Sequence, residues 1–496
     1  MATSDNVVLV TGATGYIGGR LVPRLLDAGH RVRVLVRSPE KLRDVPWAQD
    51  VEIVQGDLTD HDSTAAACES VSTLYYLVHA MGSGSGFEER EAQTAQTVAR
   101  AAGQSSVGRI VYLGGLHPAS GRLSEHLRSR KAVGDVLLNS PVPTVVFQAG
   151  VVIGSGSASF EMIRHLSDVL PVMPAPRWVK NRIEPIAVRD VLHYLVGALS
   201  LPGEVNRAFD IGSRDVLSYA EMMNEYALAA GLPGRKVLAL PVLTPHLAGH
   251  WVNLVTPIPR KMAMPLIESL QYDAVTKDSD IDRFIEPPAE GLTTYREAVA
   301  LALGRMRQGQ VETRWAAASQ GTPASDPLPT DPQWAGHTVY LDQRQRHCTA
   351  STAELWDVVE GIGGRNGWYS WPVAWAARGW LDKLAGGVGL RRGRRDQERL
   401  RTGESLDFWR VEDVVRGERL RLRAEMRLPG RAWLELAVDD DNGGSRYTQR
   451  AVFFPQGLTG RLYWWSVVPF HGPIFASMAR NIVRTAERNS SQGQAR

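Results

Sequence analysis

The sequence predicts an α/β protein with a doubly wound parallel sheet, followed by a second domain of different composition. Segments with the patterns of strands and helices alternate through the first half of the chain at intervals of about 20–30 residues. The first strand, Val7–Val10, runs directly into a glycine-rich turn and then into a helical pattern. A stretch of small residues and prolines begins near residue 316, and ten of the 14 tryptophans lie from Trp334 onward. These three observations set the expected order of the domains.

The glycine-rich turn reads TGATGYIG from Thr11 to Gly18 and indicates a Rossmann-type dinucleotide site. Gly12 permits the tight turn, Gly15 lets the backbone approach a pyrophosphate, and Gly18 lets helix and strand pack closely. The phosphates are expected on the amide groups at the positive end of the helix. The alternative is a glycine turn that binds nothing, which the flanking strand and helix disfavour. The other residues of this turn predicted to bind the cofactor are Thr14, Tyr16 and Ile17.

The residue after the second strand bears on the choice between NAD and NADP. An acidic residue about 20 positions past the glycines would bind the ribose 2′-hydroxyl of NAD. Here the second strand, Val32–Val36, ends at Arg37, with Lys41 one turn on. A cation at this place suits the 2′-phosphate of NADP, so the sequence favours NADP(H) over NAD(H). The alternative is a solvated arginine on a loop.

The next strands supply the rest of the predicted cofactor site and complete the sheet. Val51–Val54 leads into a Gly-Asp-Leu sequence expected to face the adenine, and Leu74–Val78 leads to a histidine. Two further strands are predicted at 109–113 and 144–147, with a helix over 88–102. The cofactor contacts predicted at these strand ends are Asp57, Leu58, Leu77, Val78 and His79.

The motifs TGATGYIG, VLVR, GDL, RIVYLGG and FQAGVVIG together resemble an extended or atypical short-chain dehydrogenase/reductase. The NmrA-like branch and the NADPH-binding accessory subunit of respiratory complex I are similar. The resemblance covers about residues 5–310 and implies NAD(P)H-dependent oxidoreductase chemistry. It also implies a small substrate lobe over about 154–310, within a first domain at 1–310.

One motif of that family is incomplete in this chain. Active members carry Tyr-x-x-x-Lys on the helix after the fifth strand, where the lysine lowers the pKa of the tyrosine that moves the proton. Here Lys131 stands at the lysine position, but Leu127 takes the place of the tyrosine. The family's serine corresponds to Gly114 or Gly115. The resemblance still implies that Lys131 binds the nicotinamide ribose.

His126 adjoins the vacated tyrosine position, so it is a candidate replacement acid. Because neighbouring side chains on a helix point about 100° apart, the alternative is a solvated histidine. In the substrate lobe, Arg177, Lys180 and Arg182 cluster within six residues. They predict either an anion clamp over the cleft, with Arg182 as the substrate-binding residue, or a solvated loop.

The second half is expected to be a linker at 311–334 and a domain at 335–490. Its predicted order is a strand at 338–348, a helix with Thr352 as N-cap, several alternating segments over 405–453, and a closing helix at Ile474–Arg488. This order resembles the START-like helix-grip fold of the polyketide cyclase/dehydrase superfamily. More closely, GGRNGWYSW, GGVGLRRGRR, LPGRAWLEL and GRLYWW resemble a bacterial domain of unknown function that is fused behind such reductases.

Two features of the second domain leave alternatives open. The basic run Arg391–Arg395 predicts either a phosphate or acidic-headgroup site or a solvated loop. The tryptophans, with Tyr463 and Phe470, line either a hydrophobic ligand cavity or an ordinary core.

Composition excludes several classes of protein. Of the 496 residues 44% are hydrophobic and 22% charged, and the net charge of +3 does not imply a nucleic-acid partner. The two cysteines lack metal-ligand spacing, so we expect no metal and a reducing cytoplasm. The N-terminus has no secretory pattern, and no apolar run reaches the roughly 18 residues of a spanning helix.

Three functions are consistent with these observations. The first is an NADP(H)-dependent oxidoreductase whose second domain holds or presents a hydrophobic substrate. The second is an NADPH-binding sensor or scaffold without chemistry, which the missing tyrosine favours. The third is a carrier that contacts a membrane peripherally and takes up a lipid or quinone through the segment Tyr463–Phe470.

Overall fold

The computed structural model describes residues 7–78, 87–118, 123–240, 252, 256, 258–311, 328, 330–331, 338–371, 399–441 and 443–494. The chain divides into two compact units, Met1–Gly336 and His337–Arg496. Among the sequence predictions, His79, the run Arg391–Arg395 and most of the linker at 311–334 lie outside the described residues.

The first unit contains a parallel sheet of seven strands in the order β11-β6-β5-β4-β1-β2-β3. This confirms the predicted doubly wound architecture, with Arg207–Ile211 as one of its two edge strands. The strands of the sheet are β1 Val7–Thr11, β2 Arg31–Val36, β3 Glu52–Gln55, β4 Val71–Tyr76, β5 Arg109–Gly115, β6 Thr144–Ala149 and β11 Arg207–Ile211. The shorter strands of this unit are β7 Val152–Ile153, β8 Val172–Pro176, β9 Arg182–Ile183, β10 Ile186–Ala187, β12 Leu217–Ser218 and β13 Lys236–Leu240.

Helices cover both faces of the parallel sheet, α1 Tyr16–Asp27 and α6 Val188–Gly197 on one face and α2 His61–Ala67, α3 Phe87–Gly103 and α4 Glu125–Leu138 on the other. The other helices among the described residues of this unit are α5 Ala158–Val169, α7 Tyr219–Ala229, α8 Arg260–Ser269 and α9 Tyr295–Val311. Every residue of β1 is buried, and its alternate side chains enter opposite cores. Val8 and Val10 pack in one apolar cluster, while Val7 and Leu9 pack in the other. The unbroken apolar run therefore follows from burial on both faces.

The segment predicted as the substrate lobe, called the lobe below, has a third apolar core, built mainly on α5, α7, α8 and α9. Within it, Val172–Pro176 is a strand, although its two prolines are typical of a loop. Val172–Pro176 pairs in parallel with Lys236–Leu240, more than 60 residues later in the chain. Two prolines are tolerated because this strand pairs on one side only. Its partner lies too far along the chain for a local pattern to reveal it.

A buried ion pair joins α1 to the far end of the first unit. Both terminal nitrogens of the Arg20 guanidinium donate to the Asp331 carboxylate, at 2.9 and 2.6 Å. The side chains of Arg20 and Asp331 are only 3% and 9% exposed. Leu328 is also buried, against Gly19. Leu328 and Asp331 fall inside the predicted linker at 311–334, but they pack as part of the first unit.

This contact predicts a large loss of stability for Asp331→Ala. Loss of the Asp331 carboxylate from this buried ion pair should destabilise the fold by about 3–5 kcal/mol, because the guanidinium loses a buried charged partner. We expect urea unfolding of the full-length variant to show this loss in the transition of the first unit. Asp50→Ala, at an exposed carboxylate of the same unit, is the matched control and should change little. Equal stabilities for the two variants would contradict a structural role for the pair.

Among its described residues, the second unit has a six-stranded antiparallel sheet in the order β14-β19-β18-β17-β16-β15, packed against two helices. Its strands are β14 Tyr340–Cys348, β15 Ser405–Leu406, β16 Trp409–Val415, β17 Arg419–Ala424, β18 Gly430–Asp441 and β19 Gly444–Pro455. Its helices are α10 Thr352–Glu360 and α11 Gly457–Gln494. Short 3-10 turns in the two units lie at Pro39–Leu42, Arg177–Lys180, Ala198–Ser200, Asp280–Arg283 and Gly364–Asn366.

Both helices of the second unit begin earlier than predicted. The N-cap of α10 is Ser351 and not Thr352, because Ser351 and Glu354 form a reciprocal capping box. That pattern, a serine followed three residues later by a glutamate, is visible in the sequence. Helix α11 begins at Gly457 and continues through Pro469 and Pro473, although 474 is the predicted start. The prediction placed the start after the prolines because proline usually ends a helix.

Candidate functional site

A cavity of about 920 Å³ lies at the carboxyl ends of the parallel strands. This edge of a doubly wound sheet is where such folds bind their ligands. The structure brings nearly all the predicted cofactor residues to it. Those that line the cavity are Gly12, Thr14, Gly15, Tyr16, Ile17, Gly18, Arg37, Asp57, Leu58, Leu77 and Val78.

In the glycine turn, backbone atoms lie so close together that Gly12 and Gly18 leave no room for a side chain. Gly12 has φ of +78°, and a Cβ placed there would lie 2.7 Å from the carbonyl oxygen of Leu77. A Cβ on Gly18 would lie 2.3 Å from the carbonyl oxygen of Gly12. The Gly15 amide donates to the same oxygen at 2.9 Å and closes the turn. The geometry therefore matches a backbone surface made for a pyrophosphate at the start of α1.

We predict that Gly18→Ala abolishes or strongly weakens nucleotide binding. The added methyl group cannot be accommodated without a shift of the turn, since the atom it meets is backbone. Gly203→Ala is the matched control, because a Cβ there meets nothing within 4 Å. Titration of both purified variants with NADPH, followed by fluorescence, measures the effect. Equal affinities for the two variants would contradict the assignment of the turn.

The adenine end of the cavity combines a cation and an anion. Arg37 is exposed at the end of β2 and lines the cavity. Asp57, after β3, accepts hydrogen bonds from the Thr59 amide and hydroxyl, at 3.0 and 2.9 Å. The amide hydrogen bond is the main cause that lowers the pKa of Asp57, with a smaller contribution from Arg37. Asp57 is thus a fixed carboxylate at neutral pH, and Arg37 is the cation available to a phosphate.

At the opposite end of the cavity, Leu127, the residue that the sequence matches to the family's tyrosine, forms part of an apolar wall. Leu127 is buried, lines the cavity and lies against Gly115. His126 also lines the cavity, and burial, with Arg130 nearby, lowers its pKa to about 3. A histidine with that pKa is neutral at physiological pH, so the structure gives no support to His126 as a protonated acid.

Two predicted cations lie away from the cavity. Lys131 is 45% exposed, and its ammonium pairs with Asp135 at 2.5 Å on the surface of α4. Arg182 is exposed, and its backbone amide donates a hydrogen bond to the Asp273 carboxylate. Neither residue, nor Arg177 or Lys180, is among those that line the cavity. The roles proposed for Lys131 at the ribose and for Arg182 at the substrate remain predictions.

Sequence reasoning missed several residues that line the cavity. Arg130, one residue before Lys131, is the cation that α4 places there, and Glu91 on α3 lies nearby. The lysine motif drew attention to Lys131 and not to Arg130, and only the packing of α4 on the sheet shows that Arg130 lines the cavity. The lobe side of the cavity is lined by Ile183, Tyr219, Met262, Leu266, Leu270 and Tyr272.

A second, smaller pocket of about 60 Å³ adjoins the wall of the lobe. It shares Tyr219 and Leu270 with the main cavity, and its other lining side chains are apolar apart from the indole of Trp178. The indole nitrogen of Trp178 is buried, and no described residue hydrogen-bonds it. The lobe therefore offers apolar space beyond the cofactor cavity, together with one hydrogen-bond donor.

Fold and glycine turn together define the first unit as an NAD(P)H-binding domain of the short-chain dehydrogenase/reductase type. A family described as NAD(P)H-binding matches residues 12–137. Residues 334–478 match a family described as a protein of unknown function (DUF2867). The predicted fusion of a reductase-type domain to a domain of unknown function is thereby confirmed, while the START-like identity of the latter remains a prediction.

Among proteins of known name, a ceramide reductase from Caulobacter vibrioides is 30% identical over 247 residues, 48% of this chain and 75% of that protein. The chain belongs to the family of this reductase. A mitochondrial NADH dehydrogenase [ubiquinone] 1 alpha subcomplex subunit 9 from Arabidopsis thaliana is 23% identical, over 56% of this chain and 71% of the subunit. This agrees with the resemblance to a complex I accessory subunit.

A third relative matches over a shorter segment. The 3 beta-hydroxysteroid dehydrogenase/Delta 5-->4-isomerase of Mycobacterium tuberculosis is 39% identical over 92 residues, 18% of this chain. The match spans about a quarter of that enzyme, 24% of its length.

Proposed function

We propose that the protein is an NADP(H)-dependent oxidoreductase that reduces a carbonyl group on a hydrophobic substrate. The observation that supports this most is the continuity of one cavity from the glycine turn to the apolar wall of the substrate lobe. A nucleotide on the turn and an apolar molecule against Met262, Leu266 and Leu270 would share that space. The ceramide reductase of the same family takes its name from a lipid substrate, which agrees with this class.

The preference for NADP(H) rests on Arg37. A charge-assisted contact with a phosphate contributes about 1.5–3 kcal/mol, so Arg37→Ala should lower the preference for NADPH over NADH by roughly one to two decades. Arg43→Ala, an exposed arginine outside the cavity lining, is the matched control. Titration of wild type and both variants with each cofactor measures the ratio. A wild type without preference would contradict the assignment.

Bound NADPH supplies a hydride, so the chain must supply a proton to the carbonyl oxygen. Leu127 has no proton to donate, and the imidazole of His126 is not protonated at neutral pH. Tyr76 and Tyr219 line the cavity, but they are only 2% and 1% exposed, and burial raises the pKa of both phenols far above the usual value. Tyr272 also lines the cavity, and it is only partly buried. No described residue hydrogen-bonds its hydroxyl.

We infer that Tyr272 lies near the expected nicotinamide end, and the neighbouring backbone supports this. Two residues on, the Ala274 carbonyl accepts from the Glu184 amide at 2.7 Å, and a Cβ on Gly150 would lie 3.9 Å from it. Gly150 directly follows β6, beside β5 and its glycines. Tyr272 is therefore our choice for the proton donor, in place of the missing tyrosine.

The test is NADPH oxidation by the full-length protein over a panel of lipid ketones, quinones and aldehydes. Because a general acid contributes about 10²–10⁴-fold, Tyr272→Phe should lower kcat by that factor and leave NADPH affinity unchanged. Tyr340→Phe in the second unit is the control and should retain activity. Full activity in Tyr272→Phe would remove this residue as donor while leaving the oxidoreductase intact.

A second candidate function is an NADPH sensor or scaffold. The apolar wall at Leu127 and the low pKa of His126 favour it, since a leucine has no proton to transfer and the imidazole is not protonated at neutral pH. Stoichiometric NADPH binding by the wild type, with no turnover on any member of the panel, would replace the oxidoreductase proposal with this one.

For the second unit we propose a START-like helix-grip domain that holds or presents the hydrophobic substrate. The support is its antiparallel sheet packed against a long C-terminal helix, α11. A cytoplasmic location is part of the same proposal, since Cys68 and Cys348 are both buried free thiols. No helix of the described residues is long and apolar enough to cross a membrane.

A further inference from the structure

The outward face of the first half of α11 is apolar. Its large hydrophobic side chains are strongly exposed: Leu458 38%, Leu462 60%, Trp465 65% and Phe470 64%. Leu458, Leu462 and Trp465 follow one another at spacings of four and three residues, so they lie on one side of the helix. The exposed residues Pro469 and Pro473 continue the same spacing. Contiguous apolar surface of this kind marks an interaction site.

The inward face of the same segment already has its own partners. Trp464 stacks on Tyr340, with ring centroids 4.8 Å apart, and on Phe453 at 5.9 Å. Tyr463 packs edge-on against Phe453. Further along, Phe475 is buried in the core of the second unit. The inward face of α11 thus packs on the sheet of the second unit, and the exposed side chains of the outward face are not part of the apolar core of that unit.

The charge of α11 is predominantly positive. Over Gly457–Gln494 it contains four arginines, Arg461, Arg480, Arg484 and Arg488, and one acidic residue, Glu487, which accepts hydrogen bonds from the Thr349 amide and hydroxyl. Arg480 and Arg484 are exposed, and they continue the outward face beyond Pro473. The outward face of α11 therefore passes from an apolar half with aromatic residues to a cationic half.

We infer that the outward face of α11 binds the surface of an anionic lipid bilayer. Amphipathic helices with aromatic and aliphatic residues beside arginines lie in the membrane interface in this way. Each arginine near an anionic surface strengthens binding about fivefold. A bilayer also agrees with a hydrophobic substrate, but the inference does not depend on the proposed reductase activity.

A second copy of the chain fits this face less well. Antiparallel pairing of two α11 helices would place Arg480 and Arg484 against the apolar half of the other copy. No carboxylate between 457 and 486 could pair with them there, and unpaired charges are costly to desolvate. An anionic lipid headgroup supplies the missing partner.

The test is co-sedimentation of the full-length protein with vesicles of phosphatidylcholine alone and with vesicles that also contain phosphatidylglycerol. The wild type should bind the anionic vesicles more strongly, and less so at high salt. Leu462→Ser with Trp465→Ser should lower the partition coefficient about tenfold or more, because both side chains lose their apolar contact with lipid. Arg480→Gln with Arg484→Gln should remove the preference for anionic vesicles.

The matched control is Leu228→Ser with Leu238→Ser, two leucines of the first unit that are 57% and 52% exposed. This control should bind vesicles as the wild type does. NADPH titration and circular dichroism on every sample show whether the fold is retained, independently of any turnover. Failure of the wild type to bind anionic vesicles at low salt would overturn the inference. So would a dimer in solution that the Leu462→Ser, Trp465→Ser double variant converts to a monomer without any change in vesicle binding.

Discussion

The first unit depends on the close approach of backbone to backbone between the glycine turn and the start of α1. Gly18 lies so near the Gly12 carbonyl that a methyl group would clash, and Gly12 adopts a φ that L-residues rarely take. Because β1 is buried on both faces, the turn has no freedom to move outward. The amide groups at the helix start are thus fixed toward the cavity, ready for an anionic ligand.

The rest of the cavity is organised around this fixed end. The sheet places Arg37 and Asp57 on one side of the turn and the ends of β5 and β6 on the other. The other end of the cavity is lined by Leu127, Gly114 and Gly115, whose side chains carry no proton to transfer. Tyr272, which lines the lobe side of the same cavity, does carry one.

Residues near the end of the first unit lie beside the glycine turn. Asp331 pairs with Arg20 on α1, and Thr330 lines the cavity. Leu328, Thr330 and Asp331 therefore lie beside the glycine-turn end of the cavity. The second unit has its own apolar core, and its long helix keeps an apolar and cationic face outward.

The sequence by itself determined the parallel sheet, the glycine turn, the cation at Arg37 and the loss of the tyrosine at Leu127. Each of these is local: a continuous apolar run, fixed spacings of glycine, or one residue type at one position. Tertiary structure alone decided the strand Val172–Pro176, whose hydrogen bonds come from 236–240. It also decided that Arg130 rather than Lys131 faces the cavity, and that Asp331 neutralises Arg20 from 311 positions away. These features depend on which distant segments meet, and neither periodicity nor spacing within one segment carries that information.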